Sequence, residues 1–295
     1  MGSDVLNPQK IAVLTDSCAD IPPHLLKQYS IYVVPLKIRF SDGEYLDGVT
    51  IQPKQIYERL PEELPKTSLP DGALVEGKLR EIQKAGYEKV LAIHLSSGLS
   101  GTCNMVRVLG QQLVGLEVVA FDTLSGALGE GLTVIHAAQL IKKGKSWTEM
   151  LRLVPKLIAG TKVFFCVDTL EYLQKGGRIG RITAVAGTLL NIKPIITFAP
   201  TGELVNVAKV RGRRQAMQKM VEMLGEAYPG EGRYALGVEN GDCPGEMKEI
   251  RAMVQTLLPD AVSMTEGEVD CTLGVYVGPH LLGVGIQLLP EEFFS

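Results

Sequence analysis

Short β-rich runs alternate with longer helical patterns through the first half of this chain, and that alternation restricts the fold more than any other feature. KIAVLT (10–15) reads as a buried strand, and IPPHLLKQY (21–29) as a helix entered through proline. IYVVPLKIRF (31–40) reads as a second strand, closed by the turn Ser41-Asp42-Gly43-Glu44. Helical spacing at 53–60 and 71–85 flanks a proline-rich loop at 64–70. KVLAIHL (89–95) and EVVAFD (117–122) are strands again, each followed by a helical stretch, 99–113 and 126–143. Parallel strands need long crossovers, so this order predicts a parallel sheet with helices on both faces.

The second half changes rhythm. A helix near 146–159 leads to the strand KVFFCV (162–167), the segment TLEYLQKGGRIGR (169–181) and a small-residue helix near 182–190. KPIITF (193–198) and LVNVAKV (204–210) flank Ala199-Pro200-Thr201-Gly202-Glu203, a hairpin signal. Helices near 213–227 and 245–257, YALGVEN (234–240) and strands at 261–265 and 283–289 complete the pattern. The expected class is α/β, with an N-terminal parallel domain over 9–160 and a C-terminal α+β domain over 161–295 built mostly of antiparallel sheet. Two domains suit 295 residues.

Charge and hydropathy exclude several functions. A net charge of -3 gives no whole-chain reason to bind nucleic acid or an anionic membrane. No apolar run approaches the ~18–20 residues that span a bilayer, and MGSDVLNPQK carries no apolar signal core. The expectation is a soluble, cytoplasmic protein. Cys18, Cys103, Cys166, Cys243 and Cys271 form no CxxC pair, and His24, His94, His136 and His280 show no HExxH spacing. Spacing therefore suggests neither a metal enzyme nor a redox dithiol.

Three hydroxyl-rich loops are the candidate chemistry. Thr15-Asp16-Ser17 ends the first strand, Thr67-Ser68 lies between Pro65 and Pro70, and Ser96-Ser97-Gly98-Leu99-Ser100-Gly101-Thr102 opens a helix after a strand. Ligands of open α/β sheets bind outside the carboxyl ends of the strands, where helix N-termini favour anions. Hydroxyls add donors without charge, so a carboxylate or phosphate fits. At Thr15, Asp16 and Ser17, helix capping explains the residues equally well. The Thr67 loop suits either a fixed donor or a plain surface turn. Gly72 to Lys78 has P-loop spacing, but Leu79 stands where a hydroxyl would reach magnesium. No GxSxG supports a hydrolase elbow. Two basic segments, 175–181 and 209–214, read as solvated faces or as a docking patch for an acidic partner.

These motifs resemble, in order and spacing, those of the DegV family: TDS at 15–17, PKTSLP at 65–70, LSSGLSGT at 95–102, LEYLQKGGRIG at 170–180, KPIITFAPTGEL at 193–204 and GPHLLGVG at 278–285. The resemblance implies a two-domain EDD-type fold with one long-chain fatty acid buried between the domains. It further implies a carrier without catalysis of its own or a cofactor, which presents the acyl carboxylate to a separate ATP-dependent fatty acid kinase subunit. Carried onto this chain, the carboxylate donors are Thr67 and a serine of the 96–97 pair, Ser97 preferred over Ser96, with Arg178 near the opening. Ser17, Ser68 and Gly98 would support the loops, and Arg178, Arg211 and Arg213 would dock the partner. One departure stands at the C-terminus. Where the family reads His-Thr-Gly-Pro-Gly, this chain has Tyr276-Val277-Gly278-Pro279-His280. Tyr276 or His280 therefore meets the head group.

A lipid ligand agrees with elementary energetics. Burying ~14 methylenes at ~0.8 kcal/mol each is worth about 11 kcal/mol before the costs of association. The apolar stretches 163–167 and 184–196 are candidate tunnel walls. The competing reading is an α/β enzyme of phosphotransfer or hydrolysis, with Asp16, Asp122 or Asp168 as base or metal ligand.

Overall fold

A computed structural model describes residues 7–182 and 191–295. In chain order the strands and helices are β1 (Ile11–Asp16), α1 (Pro23–Gln28), β2 (Tyr32–Val34), β3 (Lys37–Phe40), β4 (Gly43–Leu46), α2 (Pro53–Arg59), β5 (Lys66–Ser68), α3 (Gly72–Lys84), β6 (Lys89–His94), α4 (Thr102–Gln111), β7 (Glu117–Asp122) and α5 (Leu128–Lys142). There follow α6 (Trp147–Ala159), β8 (Thr161–Cys166), α7 (Glu171–Lys175), β9 (Ile192–Phe198), β10 (Leu204–Arg211), α8 (Arg213–Glu226), β11 (Arg233–Asn240), α9 (Pro244–Leu257), β12 (Met264–Glu268), α10 (Cys271–Val277) and β13 (Leu282–Leu289).

The first half builds a parallel sheet in the order β2-β1-β6-β7. The second half builds a six-stranded sheet, β10-β9-β8-β13-β11-β12, whose pairs are antiparallel except β11 with β12. The α/β class and the change of rhythm between the halves thus hold. Helix α5 is buried nearly all round because it packs against β1 and β6 of one sheet and β8, β11 and β13 of the other. Such a helix has no polar face to present.

Several segments differ from the sequence expectation. The run 31–40 is not one strand: Pro35 cannot donate to a ladder, and the chain divides into β2, on the parallel sheet, and β3, which pairs with β4 and β5. The expected turn at 41–44 is a tight hairpin joining Phe40 to Gly43 in register. The Thr67 loop is itself a strand, β5, with Thr67 opposite Ile38. The strand expected at 261–265 begins at Met264 instead. Helix α10 has no counterpart in the sequence reading, and the small-residue helix near 182–190 lies almost wholly outside the described residues. No helix among the described residues is long and apolar enough to cross a membrane.

Candidate functional site

A cavity of about 490 Å³ opens where loops of the parallel sheet meet β5, the ends of β8 and β9, and α10. Its walls are largely apolar, including Leu95, Val163, Phe165, Phe198, Val269 and Leu281. Two of these, Val163 and Phe165, come from the stretch 163–167 expected to form tunnel wall. Of the stretch 184–196, residues 184–190 lie outside the described residues. Small-molecule sites are commonly of this size and polarity.

Polar groups gather beside this apolar space. Thr67, on β5, hydrogen-bonds through Oγ1 to the Tyr276 hydroxyl of α10, and both line the cavity. The Arg178 guanidinium lies 5.0 Å from the centroid of the Tyr276 ring and lines the cavity as well. Its Nη1 donates to Gly176 O at 3.0 Å, which holds the side chain over that ring. Ser97, Ser68 and Gly98 line the same space. Ser97 is exposed, with its backbone N–H tied to Asp122 Oδ1 at 3.1 Å. Residues 97–101 also lead directly into the ten-residue helix α4. Hydroxyls, a guanidinium and a helix start suit an anionic head group.

Close backbone packing brings these parts together. A Cβ on Gly98 would lie 2.6 Å from the Gly202 carbonyl, so the 95–101 loop can meet the β9–β10 hairpin only as glycine. Gly202, at φ +77°, lies against the Ser96 hydroxyl. A Cβ on Gly176 would overlap the Tyr276 ring.

Not every candidate reaches the cavity. Ser96 is fully buried; its Oγ donates to Gly202 O at 2.7 Å and accepts from Gly98 N at 3.1 Å. It fastens the loop rather than facing a ligand. Ser17 likewise donates to Asp47 Oδ2 at 3.0 Å and accepts from Leu36 N at 3.1 Å. His280 is exposed outside the cavity, while Tyr276 lines it. Arg211 is exposed, but Arg213 turns inward, paired with Glu246 at 3.0 Å and donating to His280 O at 2.6 Å. Its place on a free docking face is corrected accordingly. The three aspartates of the enzyme reading are separately engaged. Asp16 accepts from Cys18 N and Leu95 N and bonds His94 Nδ1 at 2.9 Å. Asp122 accepts from Ser97 N and Leu124 N, and Asp168 pairs with Lys193 at 2.6 Å.

Two polar residues on the wall carry no signal in the sequence. Thr272 and Glu239 both line the cavity, and burial pushes the Glu239 carboxyl up to about 7 while its Oε2 accepts from Leu128 N at 2.9 Å. Nothing in the alternation of β11 marked that glutamate as buried.

Residues 10–288 match the model of a family described as uncharacterised protein, DegV family. The chain belongs to the DegV family. It is 35% identical to a DegV domain-containing protein of Clostridium acetobutylicum, over 94% of this chain and 99% of that one. Among solved structures, a DegV family protein from Thermus thermophilus, described in terms of fatty acid binding, is 29% identical with a TM-score of 0.89, covering 95% of this chain and 99% of that one. DegV of Bacillus subtilis, described as a fatty acid binding protein, is 29% identical with a TM-score of 0.85, covering 96% and 100%. This DegV-family chain keeps that fold while placing a tyrosine, Tyr276, on its cavity wall.

Proposed function

We propose that this chain binds one long-chain fatty acid in the 490 Å³ cavity, with its carboxylate at Thr67, Tyr276, Ser97 and Arg178. The observation that carries the reading is the cavity itself: largely apolar walls on which the Thr67–Tyr276 hydroxyl pair and Arg178 stand together. An ionised head can enter apolar surroundings only where it is hydrogen-bonded or paired, and these four side chains can do both. The fatty acid binding described for the Thermus thermophilus and Bacillus subtilis proteins supports the same ligand class.

In this reading the chain is a carrier in the cytoplasm, divided near residue 160 into domains 9–160 and 161–295, and it presents the carboxylate to a separate ATP-dependent kinase subunit. The exposed Arg178 and Arg211 favour a partner with an acidic docking face. Native mass spectrometry of protein purified from bacteria tests the ligand. A co-purifying C14–C18 fatty acid at one per chain is expected, and ligand-free protein that fails to take up added fatty acid overturns the reading.

A further inference from the structure

At the N-terminal end of α10, three segments distant in sequence converge. Cys18 follows β1 in a single helical turn, Asp47 follows β4, and Asp270 caps α10 by accepting from Leu273 N at 2.9 Å. The Cys18 thiol and one carboxylate oxygen each of Asp47 and Asp270 lie within 4.8 Å of one another. All three residues are buried.

Two observations lift this above a chance group of acids. Asp270 Oδ2 and Asp20 Oδ2 are buried without any hydrogen-bond partner, in residues only 8% and 9% exposed. Both residues line a second cavity of about 510 Å³, together with Asp47, and Glu266 and Glu268 stand exposed at its edge. A buried carboxylate oxygen without a partner is costly, and an acid-lined entrance attracts cations. Asp47 is meanwhile held in place: Oδ1 accepts from Cys271 N, and Oδ2 from Ser17 Oγ, Thr272 N and Thr272 Oγ1. Donors of this kind orient a metal-ligating carboxylate from behind.

We propose that Cys18 Sγ, Asp47 and Asp270 hold one divalent cation of the Zn²⁺ class, which ties β1, the β4–α2 loop and α10 together. One sulfur with two carboxylate oxygens suits a borderline ion rather than Mg²⁺ or Ca²⁺. Burial, reinforced by Asp270, Asp16, Asp47 and Glu130, raises the Cys18 thiol well above its usual range. A thiolate ligand replaces S–H by S–metal, and the thiol proton passes to solvent. The ligands come from three loops, so ligand spacing along the chain carries no trace of the site.

The test uses the full chain without an affinity tag, stripped by chelator and titrated with Zn²⁺ and, separately, Co²⁺. One ion per chain is expected, with a rise in Tm and, for Co²⁺, a thiolate-to-metal charge-transfer band in the near ultraviolet. Cys18→Ser should abolish that band, and Cys18→Ser and Asp270→Asn should each weaken Zn²⁺ binding at least tenfold. Asparagine retains the oxygen that caps α10, and circular dichroism of each variant before titration establishes that it is folded. Binding equal to wild type in both folded variants overturns the proposal, as does a stripped wild-type chain that takes up no stoichiometric ion.

Discussion

Thr67 Oγ1 and the Tyr276 hydroxyl are joined by a hydrogen bond although 209 residues separate them in the chain. The bond links β5 to α10 and places two donors on one wall of the cavity. Either hydroxyl can rotate to an incoming carboxylate while the other keeps its neighbour in place.

Thr67→Val and Tyr276→Phe each remove one hydroxyl and retain the shape of the wall. Each should weaken fatty-acid binding by roughly 1.5–3 kcal/mol, the worth of a hydrogen bond to a charged group. That is about a 10- to 150-fold change in Kd by calorimetry. Ser97→Ala should act in the same direction. Ser96→Ala should instead lower Tm, because it leaves the buried Gly202 carbonyl without its donor. Unchanged affinity in Thr67→Val, Tyr276→Phe and their double mutant would falsify the head-group assignment.

Gly176→Ala places a methyl against the Tyr276 ring. Displacing that ring should cost about 1–3 kcal/mol of stability, as overpacking does, and should weaken lipid binding as well. Gly77→Ala is the control: it lies in α3 with nothing within 4 Å of the added Cβ. There the change should be neutral or stabilising by about 0.5–1 kcal/mol. Paired thermal melts and lipid titrations compare the two.

Arg211→Glu should slow acyl-phosphate formation by an added kinase subunit and leave lipid affinity intact, since Arg211 is exposed and outside the cavity. The wild-type rate should also fall with salt, because exposed charges are screened beyond about 10 Å at 0.1 M. Arg213→Ala should behave differently. It deprives Glu246 and the His280 carbonyl of their partner, and should lower stability by about 1–3 kcal/mol, between the exposed and buried limits for ion pairs. Equal kinase rates for Arg211→Glu and wild type across salt concentrations would leave Arg211 a solubilising residue only.

His136 is buried and bonded to Gln287, and burial lowers its pKa from 6.5 to about 4. The unfolded chain therefore binds the proton more readily than the folded one between those values. His136 contributes stability that is present above pH 6.5 and lost as pH falls toward 4. NMR titration should find its ring still neutral at pH 5.5, where an unfolded-chain histidine is mostly charged. A His136 midpoint near 6.5 in the folded protein would contradict this.

Much of the site was legible before any fold was known. Ser97, Gly98 and Thr67 stand in hydroxyl- or glycine-rich segments that the residues themselves single out, Arg178 is assigned only through the family resemblance, and all four line the cavity. The choice between Ser96 and Ser97 was not legible. Adjacent serines carry identical chemistry, and only the approach of Gly202 turns one inward. Arg213 is similar: its neighbours in sequence are basic and exposed, but Glu246 on α9 draws it in.

The local pattern of residues determined the strands, the longer helices and the change from parallel to antiparallel pairing, because periodicity and turn chemistry act over a few residues. Tertiary structure alone decided the rest. Pro35 divides a continuous apolar run between two sheets, and Thr67 becomes a strand only because β3 offers it a partner. Tyr276 rather than His280 faces the cavity because α10 ends at Val277 and Gly278 turns the chain away at φ +69°. Cys18, Asp47 and Asp270 meet only when three loops pack together. Contacts between residues hundreds of positions apart depend on how whole elements stack, and no window of sequence contains both partners.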